Sequence, residues 1–162
     1  MSEIPEILER YRRGPEVIAT LMTGAAGSEL DFKPAADKWC IRQIVAHLAD
    51  AEIVAADRFR RIVAEDRPTL IGFDQNAWAT NLNYAKRKTS ESVDLFRRLR
   101  LDCHELLKEL PPEAFERTGN HNERGVLTLR QLVETMAEHA ESHARQIRQV
   151  RDAYRQSRQA HA

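Results

Sequence analysis

Two histidines four residues apart, His139 and His143 in "AEHAESHARQ", are the residues of this 162-residue chain whose types and spacing first suggest chemistry. On a helix, positions i and i+4 share a face, with Cβ atoms about 6 Å apart. Two imidazoles placed in this way can reach one ion, as the HxxxH pairs of zinc proteases do. The glutamate that follows the first histidine of those pairs is absent, because Ala140 stands there. The pair alone fits either a metal site or two core-edge histidines hydrogen-bonded to carbonyls.

A third histidine shifts the balance. His47 lies three residues after Ile44 and four before Ala51, so it borders the apolar stripe of a second helical segment. Ligand sites in helical bundles are built from side chains on facing helices. Three neutral imidazoles suit Zn, Ni, Fe or Co and leave positions open for water or substrate. Glu52 falls on the same buried stripe, four residues after Leu48. A carboxylate there needs a partner. It could orient a ligating histidine, complete the coordination shell, act as a base, or form a buried ion pair with an arginine. Asp50 lies nearer the edge of the stripe, with roles beside the ligands or in solvent both open. His104, His121 and His161 have no such company and read as surface, loop and tail residues. Cys40, at a helix start, could have a lowered thiol pKa, but no histidine is paired with it in the sequence.

The elements that must position these residues are helical. The first helix spans about Ile4 to Met22, with Gly14-Pro15 predicting a kink or a break. "SELDFKPAADKW" reads as a polar turn. The second helix begins at Cys40, with Gln43 at N3 and Trp39 and Ile44 as a hydrophobic staple, and stops before Pro68. The third runs from about Ser90 to Leu110 and is closed by Pro111-Pro112. The fourth starts at Thr128, with Gln131 at N3 and Leu127 and Leu132 as the staple. Residues 67–89 separate the second and third helices, far more than a tight turn requires. A helix of this length spans roughly 35 Å, so an extended connector of about 20 residues can return along it. That predicts an all-α four-helix bundle, up-down-down-up, with one long crossover containing a short helix near Asp74 to Leu82. The bundle is expected over residues 1–156, followed by a polar tail at 157–162. The loop "TGNHNERG" is expected near the mouth of the bundle.

Composition excludes several classes. Lys plus Arg and Asp plus Glu number 25 each, which argues against nucleic acid or an anionic membrane as the main partner. The arginine run "ARQIRQVRDAYRQSRQ" reads as a solvated helix end, favourable at the negative end of the dipole. No apolar run approaches the ~18 residues a membrane span needs. The acidic start, "MSEIPE", does not resemble a signal peptide. With two distant cysteines and no disulfide framework implied, a cytoplasmic location is expected.

"KWCIRQIVAHLADAE" (38–52) resembles the W-[ST]-x-x-[EQ]-[IV]-x-x-H-L-x-D-x-E signature of the DinB-like superfamily, with Cys40 where Ser or Thr is usual. "GFDQNAWA" (72–79) is similar to that family's crossover segment, and "LTLRQLVETMAEHAESHARQI" (127–147) to its closing helix. The resemblance covers residues 5 to 152. It implies an up-down-down-up bundle, usually a homodimer, with a divalent metal ion on His47, His139 and His143. It also implies relationship to metal-dependent thiol S-transferases that use bacillithiol, mycothiol or glutathione, and to a mycothiol-dependent maleylpyruvate isomerase. The expected function is a divalent-metal-dependent enzyme, a thiol transferase or a hydrolase, acting on a small molecule. Glu52 and Asp50 are the candidate bases or supporting groups. The alternative is a non-catalytic, stress-associated bundle acting as a metal-binding or dimeric interaction module.

Overall fold

In the computed structural model, which describes residues 3–161, four long helices form the bundle: α1 (Ile4–Leu21), α3 (Ile41–Ala64), α5 (Thr89–Lys108) and α6 (Leu129–Gln159). Two short helices, α2 (Ser28–Asp31) and α4 (Gln75–Asn81), lie in the connections. Side-chain pairs fix the directions. Arg42 Nη1 reaches Thr89 Oγ1 near the start of α3 and α5, and Arg60 pairs with Asp102 near their ends, so these helices are parallel. Arg10 meets Glu141, and Arg151 reaches the Leu21 carbonyl, so α1 and α6 are parallel too. Tyr11 meets Glu52 while Ile18 packs with Ile44, which sets α1 against α3. The order is up-down-down-up, as the long crossover requires. Among the described residues, no helix is long and apolar enough to cross a membrane.

The core has two apolar halves. Leu8, Tyr11, Phe59, Ile62, Leu107 and Val133 fill one. Ile18, Ile44, Leu48, Phe96, Ile147 and Val150 fill the other. Between them lies a buried polar layer centred on Arg100, whose side chain is fully buried. Its guanidinium donates from Nε to Glu52 (2.7 Å), from Nη1 to the Tyr11 carbonyl (2.6 Å) and from Nη2 to the Met136 carbonyl (2.5 Å). One α5 side chain thus ties all four long helices together at mid-height.

This layer explains why Gly14-Pro15 does not break α1. Proline at 15 lacks the N–H that would bond to the carbonyl of Tyr11, and Arg100 takes that carbonyl instead. Gly14 makes room for it. A Cβ at 14 would lie 2.8 Å from Arg100 Nη1 and 3.0 Å from Ala140 Cβ. Gly→Ala inside a helix is ordinarily stabilising by about 1 kcal/mol. Here the guanidinium is pinned by three partners and cannot yield, so Gly14→Ala is expected to destabilise by about 1–3 kcal/mol. Urea midpoints of the two proteins measure the difference.

Several connections differ from the sequence reading. "SELD" forms the helical turn α2, because buried Glu29 accepts a hydrogen bond from Arg151 Nε at 2.7 Å. Arg151 also caps the Leu21 and Thr23 carbonyls, so this member of the arginine run is an interior clamp. The segment 118–125, read as a loop, is largely strand. It belongs to a hairpin, β2 (Thr118–His121) and β3 (Gly125–Thr128), and β2 pairs in parallel with β1 (Thr69–Leu70) at the start of the crossover. Strands of two and four residues are too short for the alternation that reveals a strand in sequence. His121, expected in a loop, is buried in β2, its Nδ1 accepting from the Glu123 N–H. The last helix continues through Gln159, three residues into the expected tail, over helix-favouring Arg and Gln.

Candidate metal centre

His47 is carried by α3, two turns beyond the helix start, where Gln43 Oε1 accepts from the Cys40 N–H at 3.1 Å. His139 and His143 are carried by α6, whose start is fixed by a full capping box between Thr128 and Gln131. These three histidines meet. His47 Nε2 lies 2.9 Å from His139 Nε2, and His143 Nε2 lies 3.1 Å from the same atom. His47 is buried and the other two are half-buried, so the cluster sits at the edge of the α3–α6 seam.

The donor set fits a cation. An imidazole Nε2 carries one hydrogen or one in-plane lone pair, so His139 cannot satisfy both neighbours by hydrogen bonding. Three lone pairs converging on one ion resolve the conflict. One nitrogen from each of the three histidines lies within 4.8 Å of the others, close enough for all three to hold one ion. Gln146 Oε1 lies 2.7 Å from His143 Nδ1. It therefore holds a hydrogen on Nδ1 and leaves the Nε2 lone pair facing the cluster. The buried Nδ1 atoms of His47 and His139 have no protein partner among the described residues.

Burial keeps the rings neutral, as ligands must be. It pushes His47 down to about 3, with His143 adding to the effect. It pushes His139 down to about 2, with His143, His47 and Arg100 adding. His143 is lowered as well, again by burial, against an upward pull from Gln146. In the unfolded chain these imidazoles titrate near 6.5. The metal-free fold therefore binds fewer protons than the unfolded chain between about pH 6.5 and 3. Its stability should be complete above that window and fall as pH drops through it, by up to about 1.4 kcal/mol per pH unit for each histidine. Urea unfolding at pH 7, 6 and 5, in the presence of chelator, measures the slope.

Neither acidic candidate touches the cluster. Glu52 is engaged by Arg100 and by the Tyr11 hydroxyl, so it takes the ion-pair alternative among those its position allowed. Asp50 accepts from Tyr84 Oη at 2.9 Å and Arg87 Nη1 at 2.6 Å, anchoring the end of the crossover to α3. His104 lies on α5 beside Glu105, and His161 Nδ1 meets the Ser157 carbonyl at 2.7 Å. Two contributors were not singled out from sequence. Gln146 lies three residues after His143, a spacing that could have revealed it. Arg100 lies four after Phe96 on the inward face of α5, where an arginine interrupts an apolar stripe.

Around His47 stands an aromatic wall. The Trp39 ring centroid is 5.1 Å from that of His47, Phe73 is 6.5 Å from it, and Phe73 and Trp78 are 4.5 Å apart.

The family profile of the DinB superfamily matches residues 10–147. A protein of Oceanobacillus iheyensis named "Putative metal-dependent hydrolase" is 26% identical over 133 residues, covering 82% of this chain and 77% of its own length. A protein of the same name from Geobacillus kaustophilus is 27% identical over 150 residues, covering 92% and 84%. YfiT of Bacillus subtilis, described as a probable metal-dependent hydrolase with an unusual four-helix bundle topology, has a solved structure that superposes with a TM-score of 0.86. That match covers 93% of this chain and 87% of YfiT at 23% identity, and is a likeness of fold. With a profile spanning most of its length and the bundle that goes with it, the chain belongs to the DinB superfamily.

Proposed function

We propose that the chain is a divalent-metal-dependent enzyme, with the ion held by His47, His139 and His143, that transfers a low-molecular-weight thiol to a small electrophile. The convergence of three Nε2 atoms from two helices carries this reading. When bound, the ion supplies a Lewis acid that lowers the pKa of an adjacent thiol or water, so that the anion is available near neutral pH. The chain's own residues prepare that position. Gln146 fixes the tautomer of His143, burial keeps the imidazoles unprotonated, and the Trp39 and Phe73 rings flank His47.

The state of the carboxylates favours a thiol over water. Hydrolysis is helped by a nearby base that takes the proton of water, and Glu52 and Asp50 are both held by other partners. A thiol, with an ordinary pKa near 8.5, needs a smaller shift and no such base. The names of the relatives support hydrolysis as the second reading. Protein loaded in turn with Zn, Ni, Fe and Co should be assayed with thiols plus electrophiles, and separately with esters and amides. Thiol-dependent turnover that is lost in His47→Ala is the expected result. Turnover without thiol would establish the hydrolase, and no turnover with any metal would favour a non-catalytic binding bundle.

A further inference from the structure

The chain has only two tryptophans, Trp39 and Trp78; Trp39 stands beside His47, and Trp78 stands beside Phe73, which lies on His47 in turn. Most of the other large aromatic side chains, Tyr11, Phe59, Tyr84, Phe96 and Phe115, are buried. Trp39, Phe73 and Trp78 are instead half-buried. Three aromatic rings left partly open at one place are unusual for a surface with no ligand to cover.

The backbone holds this wall firmly. Gly72 donates its N–H to Asn122 Oδ1 at 2.8 Å, which fastens the residue before Phe73 to the hairpin. Asp74 caps α4, accepting from the Asn76 and Ala77 N–H groups at 3.0 Å each, and so turns its carboxylate toward the helix. Trp39 and Trp78 pack against Ala46, Ala79 and Tyr84. The α4 segment "QNAWATN" contains no charged residue. The ring faces of the wall are therefore preorganised and apolar, which lowers the ordering cost of binding a flat group.

We infer that Trp39, Phe73 and Trp78 form a substrate subsite for an uncharged planar apolar group, aromatic or conjugated, carried by the electrophile that reacts at the histidine cluster. Offset or edge-on contact with the ring faces selects such a group over a saturated one of similar size. A charged group finds no partner on α4 and would lose its hydration without compensation. The inference rests on the metal-enzyme reading for the word substrate, while binding of the flat group to the wall does not need the ion.

The test uses 5-fluorotryptophan-labelled full-length protein, which has two fluorine resonances. Samples are titrated with benzyl alcohol and with cyclohexylmethanol, and bound metal is quantified in each. Benzyl alcohol should move both resonances saturably and bind several-fold more tightly than cyclohexylmethanol. Trp39→Leu and Trp78→Leu should each weaken it about tenfold, and Trp39→Phe should restore most of the binding. Circular dichroism of every variant verifies folding, so that a collapsed variant is not scored as lost binding. Equal affinity for the two alcohols, or no saturable shift, would overturn the subsite whether or not metal is present. Selective binding of benzyl alcohol by a protein that takes up no metal would uphold the subsite and remove the metal reading alone.

Discussion

Arg100→Met is expected to destabilise the fold by about 3–5 kcal/mol, the cost of leaving one member of a buried ion pair uncompensated. Both side chains of the Arg100–Glu52 pair are fully buried. The substitution also strips the Tyr11 and Met136 carbonyls of their donors. The Tyr11 carbonyl has no helical substitute, because Pro15 cannot supply an N–H. Methionine preserves much of the volume and the contact with Tyr11 and Phe96, over which the guanidinium lies at 4.1 and 4.9 Å. The loss therefore reports polar uncoupling and not a cavity. Replacing the pair together, with Arg100→Met and Glu52→Leu, should recover most of the deficit, since no lone charge remains. Chemical denaturation of the single and double variants separates these outcomes. A double variant as unstable as the single one would show that the carbonyl contacts, and not the charge pair, dominate.

His139→Gln is expected to act in two opposite directions. Its Nε2 is the atom that both other ring nitrogens approach. Losing a supporting hydrogen bond to a ligand commonly costs 10–100-fold in metal affinity, so losing this ligand should cost at least about 100-fold. Without metal, the same substitution removes a ring that burial holds down to about 2. The variant should then lose less stability than the parent between pH 6.5 and 5, because one fewer imidazole gains a proton on unfolding. Calorimetric metal titration and metal-free urea unfolding at both pH values measure the two effects. A variant with weaker metal binding and an unchanged acid slope would mean that His139 is not buried in the neutral form.

The bundle was legible in the sequence because its signals are local. Apolar spacing marked the helices, Thr128 and Cys40 marked two helix starts, and the length of residues 67–89 forced the parallel pairing of α3 and α5. His47, His139 and His143 were legible for the same reason, since each has a definite place on a helical stripe. What stayed hidden depends on partners distant in sequence. Glu52 was visibly buried, but its partner lies 48 residues away on α5, and an arginine on the inward stripe of α5 does not by itself name the carboxylate it meets. The continuity of α1 through Pro15 depends on that same arginine. The β1–β2–β3 sheet is too short to declare itself, and Glu29 became interpretable only when Arg151 was seen to reach across 122 residues. Local periodicity thus gave the three histidines that meet, while the buried polar layer around Arg100 required the fold.

X-ray absorption spectroscopy of the protein loaded with zinc or cobalt tests the metal centre most directly. The expected spectrum shows one ion per chain, with imidazole scattering from three nitrogens at about 2.0–2.1 Å, and this pattern is absent in the variant lacking His47, His139 and His143. A shell without imidazole, or equal metal content in the parent and the triple variant, would contradict the assignment.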